Sequence, residues 1–162
     1  MRQFVQVKNR KASLSTLPLV IACPQMKNNE NVSLLARTAS CLGASAMITT
    51  GSNKVNRHIS RDITIPIRHH NSLKPVIERY KKKGYIILGI EQATDSTSIF
   101  QCSFERGQRV MLIAGHECRG IDQDLLDTLD GVIEIPLNHG PHSLNVAIAV
   151  SMAIYEYVRQ IQ

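Results

Sequence analysis

The sequence predicts an α/β domain built on a parallel sheet flanked by helices, and three observations carry that prediction. Several short segments are continuously apolar, as strands covered on both faces must be. Segments of helical periodicity alternate with them. Polar, glycine-bearing clusters follow the apolar segments, where loops at the carboxyl ends of strands would fall.

The strand candidates are residues 17–22, 46–50, 85–90, 110–114 and 132–135. The first helix candidate is 31–42, with Val32, Leu35, Ala36, Ala39 and Leu42 on one side. The second is 72–83, where Pro75 is tolerable only in the first turn, and the third is 123–129. This βαβα order argues for a doubly wound sheet. The last helix candidate, 143–160, has almost no polar stripe, so it must be covered on several sides. In a chain of 162 residues the sheet covers one side, and a second subunit is expected on another; burial within a single domain is the alternative. Segments 51–71 and 93–108 read as long connections, the first of them strongly basic.

The net charge of +6 is unevenly spread. Residues 1–85 hold 15 Lys or Arg against three acids, whereas residues 86–162 hold four against ten. The basic half is where a polyanion would dock, although a lysine run such as Lys81, Lys82 and Lys83 also suits a helix C-terminus. Residues 1–16 form a basic arm, with a mitochondrial targeting segment as the alternative, ahead of a domain at 17–162. Aromatics are scarce and Trp is absent, which argues against a single-strand binder that works by stacking. The cysteines form no C-x-x-C pair, no apolar run is suited to crossing a membrane, and there is no signal segment; a cytoplasmic protein with reduced thiols is expected.

The familiar phosphate loops G-x-G-x-x-G and G-x-x-x-x-G-K-[ST] are absent. Three other clusters stand at strand ends: Asn31 to Arg37 in the pattern N-x-x-x-x-x-R, Gly115 to Gly120 as G-x-E-x-x-G, and Ile135-Pro136 leading to Ser143-Leu144-Asn145-Val146. Singly, each has a structural explanation, such as an N-cap or a glycine turn. Together, in this order, they resemble the three motifs of the SpoU/TrmH family of RNA ribose 2′-O-methyltransferases within the SPOUT superfamily, over nearly the whole chain from Leu17 to Gln160. Ile90-Glu91-Gln92 also looks like a subgroup that methylates transfer RNA.

The resemblance implies a deep C-terminal trefoil knot, a homodimer, S-adenosylmethionine as cofactor and RNA as substrate, with tRNA favoured over rRNA. It implies cofactor contacts from Gly115, Ile135 and Leu144, with Leu88 and Gly89, and site-building or catalytic roles for Asn31, Arg37, Glu117, Ser143 and Asn145. A ribose hydroxyl is a poor nucleophile, so the site must align it and relieve its proton. Arg37 is expected to hold the neighbouring phosphate and the hydroxyl as a positioning cation, because a guanidinium keeps its proton at neutral pH. Ser33 departs from the family pattern, which usually has Gly there, and His142 replaces a basic or small residue. His116, His139 and His142 lack the companions of a metal site, and no metal is expected. The alternatives are an rRNA 2′-O-methyltransferase, a SPOUT enzyme acting on a base atom, a catalytically silent RNA-binding protein of the same fold, and a binder of small anions.

Overall fold

The computed structural model describes residues 16–56, 58, 63–138 and 143–162. Strands β1 (Leu19–Cys23), β2 (Ala46–Thr50), β4 (Ile86–Ile90), β6 (Val110–Ala114) and β7 (Gly131–Glu134) fall on the five expected apolar segments. Two further strands, β3 (Ile67–His70) and β5 (Thr97–Ser98), lie in what patterning gives as connections. Both are edges of the seven-stranded sheet, whose order is β3-β2-β1-β6-β4-β7-β5. An edge strand needs no apolar run: β3 is largely exposed and carries Arg68, His69 and His70, the kind of charged edge that resists further pairing.

Every strand pair is parallel, so all carboxyl ends share one rim of the sheet. The loops after β1, β4, β6 and β7 therefore emerge side by side. Alternate residues of the central strands point to opposite layers. Leu19, Ile21, Met47, Val110 and Leu112 join helices α1 (Asn29–Cys41) and α4 (Val146–Ile161) on one face. Val20, Ala22, Ile48, Met111 and Ile113 join α2 (Lys74–Lys81) and the short α3 (Gln123–Leu126) on the other. Each fully buried Leu, Ile or Met contributes roughly 1.5–3 kcal/mol.

Two helix starts differ from the periodicity. Helix α1 begins two residues before Asn31, because Asn28 caps it by accepting the Glu30 N–H at 2.8 Å. Helix α4 begins after Ser143, because Asn145 stays extended and caps it by accepting the N–H groups of Ala147 (2.9 Å) and Ile148 (3.3 Å). Pro75 sits in the first turn of α2, where its missing N–H costs nothing.

The far end of α4 is locked to the segment before β6. Tyr157 is fully buried, donates its hydroxyl to the Gln108 carbonyl at 2.6 Å and meets Phe104 edge-on at 5.3 Å. Burial, with Tyr85 nearby, pushes that hydroxyl up to about 12. Gln160 donates to the Cys102 carbonyl and accepts the Phe104 N–H. Among the described residues α4 is packed on one side, and on the other Ile148, Met152 and Tyr155 are 50%, 45% and 61% exposed.

The connection from β7 to α4, where the resemblance expects the knot, includes residues 139–142 with His139 and His142; these, like 1–15 of the basic arm, lie outside the described residues. Among the described residues all four cysteines are free, no helix is long and apolar enough to cross a membrane, and no group of His, Cys, Asp and Glu is placed to hold a metal ion.

Candidate active site

The three sequence clusters meet at the carboxyl rim. Glu117, on the loop after β6, crosses to the start of α1 and accepts the backbone N–H groups of Lys27 (2.8 Å) and Asn28 (3.0 Å) and the side-chain amide of Asn31 (2.9 Å). Asn31, only 5% exposed, accepts in turn from the Asn145 amide at 3.0 Å. A single chain of hydrogen bonds thus runs from Glu117 through Asn31 and Asn145 into the first turn of α4.

Its direction is fixed chemically. An ionised carboxylate only accepts, so Asn31 must turn its NH₂ to Glu117 and its oxygen to Asn145; Asn145 must then turn its own oxygen to the helix N–H groups. The acid is not an ordinary first-turn residue of its own helix, since it serves the N-terminus of α1 from another loop. Burial pushes the Glu117 carboxyl up, but the hydrogen bonds from Lys27, Asn28, Asn31 and its own backbone outweigh it and hold the carboxyl down to about 2. Burial foremost, with the Glu117 charge adding, pushes the neighbouring Cys23 thiol up, which makes it an inert core group.

Beside this chain of bonds lies a cavity of about 320 Å³. Of the positions expected from sequence, Gly115, Glu117, Ile135, Ser143, Leu144 and Asn145 line it. The floor depends on glycine. A Cβ on Gly115 would stand 2.9 Å from Oε2 of Glu91, and one on Gly120, whose φ is +68°, would stand 2.3 Å from the same oxygen. Glu91 fills that space because its carboxylate brackets the loop, Oε2 accepting from the Ile121 N–H at 3.1 Å and Oε1 from the Gln92 N–H at 3.0 Å.

Leu88 and Gly89 are not brought to the cavity wall, which begins one residue later, at Ile90. They sit inside β4, and the bare Cα of Gly89 is explained by packing, since a Cβ there would meet Leu129 at 2.7 Å and Ile121 at 2.9 Å. Arg37 does not line the cavity of its own chain either. It is exposed on α1, and six residues past Asn31 is about 9 Å along a helix axis. Ser33, the departure from the family pattern, is fully buried and explained: its hydroxyl donates to the Asn29 carbonyl and accepts the Asn56 N–H, both at 2.9 Å, pinning the basic loop to α1. Glu91 has no site role in the sequence reading beyond its place in Ile90-Glu91-Gln92; its signal is a lone acid directly after a buried strand.

The pattern of the SpoU rRNA Methylase family matches residues 18–155. The chain belongs to this family. Among similar proteins, the mouse tRNA (guanosine(18)-2'-O)-methyltransferase TARBP1 is 27% identical over 166 residues, covering 96% of this chain but only 10% of the mouse protein. This SpoU-family chain therefore spans about a tenth of that relative's length. Its backbone resembles the A. aeolicus TrmH/SpoU tRNA modifying enzyme with a TM-score of 0.81 at 22% identity, covering 90% of this chain and 76% of that one. It also resembles AviRb of Streptomyces viridochromogenes, solved in complex with AdoMet, with a TM-score of 0.75 at 21% identity, covering 96% of this chain and 61% of that one. The parallel sheet flanked by helices is thus the SpoU/TrmH fold.

Proposed function

We propose that the chain transfers a methyl group from S-adenosylmethionine to a ribose 2′-hydroxyl of RNA, with tRNA favoured over rRNA, and that it does so as a homodimer. The observation that carries this is the Glu117–Asn31–Asn145 chain of bonds, which joins all three family motifs beside a glycine-floored cavity.

The cavity fits the cofactor. Its volume lies within the range of small-molecule sites. Ile90, Ile135, Leu144 and Val146 offer apolar walls for an adenine, and Gly115 and Gly120, packed on Glu91, line the same cavity. When bound, S-adenosylmethionine supplies an electrophilic methyl group on a sulfonium. Asn145 and Ser143 line the same cavity and hold the incoming hydroxyl. The Glu117 carboxylate fixes the loop after β6 against α1 and keeps Asn31 in one orientation.

Arg37 enters through the dimer. Leu34, 48% exposed, lies three residues before Arg37 on α1, and therefore on the same side of that helix. Helix α1 abuts α4, where the Ser151 hydroxyl donates to Thr38 at 3.3 Å. The exposed Ile148, Met152 and Tyr155 of α4 and Leu34 of α1 form an apolar surface that a second copy covers. Covering it carries Arg37 to the partner's cavity. There the guanidinium holds a phosphate and the hydroxyl in line for transfer, while phosphate or water receives the proton.

Calorimetry with S-adenosylmethionine, followed by label transfer from the methyl group to tRNA and rRNA transcripts, tests the proposal. Binding followed by incorporation into RNA is expected. Absence of binding even with RNA present would favour a silent RNA-binding module.

A further inference from the structure

A second cleft, of about 560 Å³, opens on the other side of the loop after β6 and shares His116 and Gly120 with the first cavity. Nothing in the reaction outlined above uses it. Its walls are built in advance. Asn53 clamps the loop after β1 from two directions, donating to the Pro24 carbonyl at 2.7 Å and accepting the Met26 N–H at 2.8 Å. Gln25 is tied to Ser52 at 3.3 Å. The opposite wall, at Ile121, hangs from Glu91. A cleft held this firmly loses little entropy when it is filled.

Its chemistry selects the occupant. Lys74 and Asp124 pair at 3.1 Å, and Asp122 lines the cleft together with Arg119, so the lining carries no net formal charge. Gln25, Thr50, Asn71 and Ser72 offer neutral donors and acceptors, and Pro24 and Leu73 offer apolar surface. Arg119 is exposed and makes no hydrogen bond or ion pair with any described residue, which leaves its planar cation available to stack on a ring or take a phosphate. Neutral amides for base edges beside a guanidinium suit a nucleobase.

We propose that this second cleft takes the base of a nucleotide neighbouring the methylated one, and so sets which RNA sequence is modified. The proposal rests on the RNA methyltransferase reading above. Sharing His116 and Gly120 sets that base beside the cofactor cavity, one loop away from the methyl donor.

The test uses the full chain saturated with S-adenosylhomocysteine, which closes the first cavity to competition. Each of the four nucleoside 5′-monophosphates is titrated while backbone amide resonances are followed. Saturable shifts at Asn71, Ser72 and Arg119, lost in Ser72→Phe, are expected. On an RNA substrate, Arg119→Ala and Ser72→Phe raise KM for RNA about 5- to 10-fold and flatten the preference for the neighbouring base, with cofactor affinity within twofold. Nucleotide shifts absent or confined to other surfaces, or both variants keeping normal KM and preference, would overturn the proposal. If the protein binds cofactor yet methylates no RNA, the enzyme reading fails by itself, and the nucleotide titration still decides whether the cleft holds a base.

Discussion

Replacing Glu117 with Gln tests the joint between the three motifs with almost no change of shape. The two carboxylate oxygens accept three N–H groups, Oε2 from Lys27 and Oε1 from Asn28 and Asn31. A carboxamide has one acceptor. In the better of its two orientations the NH₂ faces the Lys27 N–H, donor against donor, and the bonds to Asn28 and Asn31 lose their charge assistance. An unsatisfied donor costs about 1–3 kcal/mol, and Lys27 is exposed enough for water to place the loss toward the lower end. For a chain of this size each kcal/mol lowers the melting midpoint by roughly 2–4 °C. Urea or thermal unfolding of Glu117→Gln is expected to show that loss. Methyl transfer falls further, because Asn31 is no longer held in one orientation. A variant with the parental midpoint and turnover would refute the reasoning.

Three further outcomes follow from the same geometry. Arg37→Ala leaves cofactor affinity, measured by calorimetry, within a few fold and lowers methyl transfer by about 100-fold or more, the scale of a misplaced reactant; near-normal turnover would remove Arg37 from the site. Met152→Glu puts an unpaired carboxylate into the apolar surface of α4, at a cost of at least ~3 kcal/mol to association, so sedimentation is expected to show a dimer for the parent and a monomer for the variant. For pH, the folded carboxyl of Glu117 lies at about 2 against an ordinary 4.5, so the stability it contributes is complete above about 4.5 and is lost as pH falls through 2. Unfolding free energy of the parent therefore falls more steeply between pH 4.5 and 2 than that of Glu117→Gln.

The interior of the sheet was legible because strands buried on both faces have to be apolar, and β1, β2, β4, β6 and β7 are. Edge strands escape that rule. β3 is mostly exposed and polar, and β5 has two residues, so neither leaves a pattern to find. Helix starts shifted because Asn28 and Asn145 compete as caps with the neighbouring polar residues, and only backbone geometry decides which one accepts. In the site, Gly115, Glu117, Ser143 and Asn145 were readable as motif positions. The bracket by Glu91 was not, since it depends on the loop after β6 returning beneath a neighbouring strand. Leu88 and Gly89 sit a step too deep in β4, where the small residue serves Leu129 and Ile121 instead.

The most direct measurement of the account is where the methyl group lands. RNA methylated by the purified protein with labelled S-adenosylmethionine is hydrolysed in alkali, which needs a free 2′-hydroxyl to cut the adjacent phosphodiester. Label retained in an alkali-resistant dinucleotide, yielding a 2′-O-methylnucleoside by mass spectrometry, is the predicted result. Label released on a base-modified mononucleotide would contradict it.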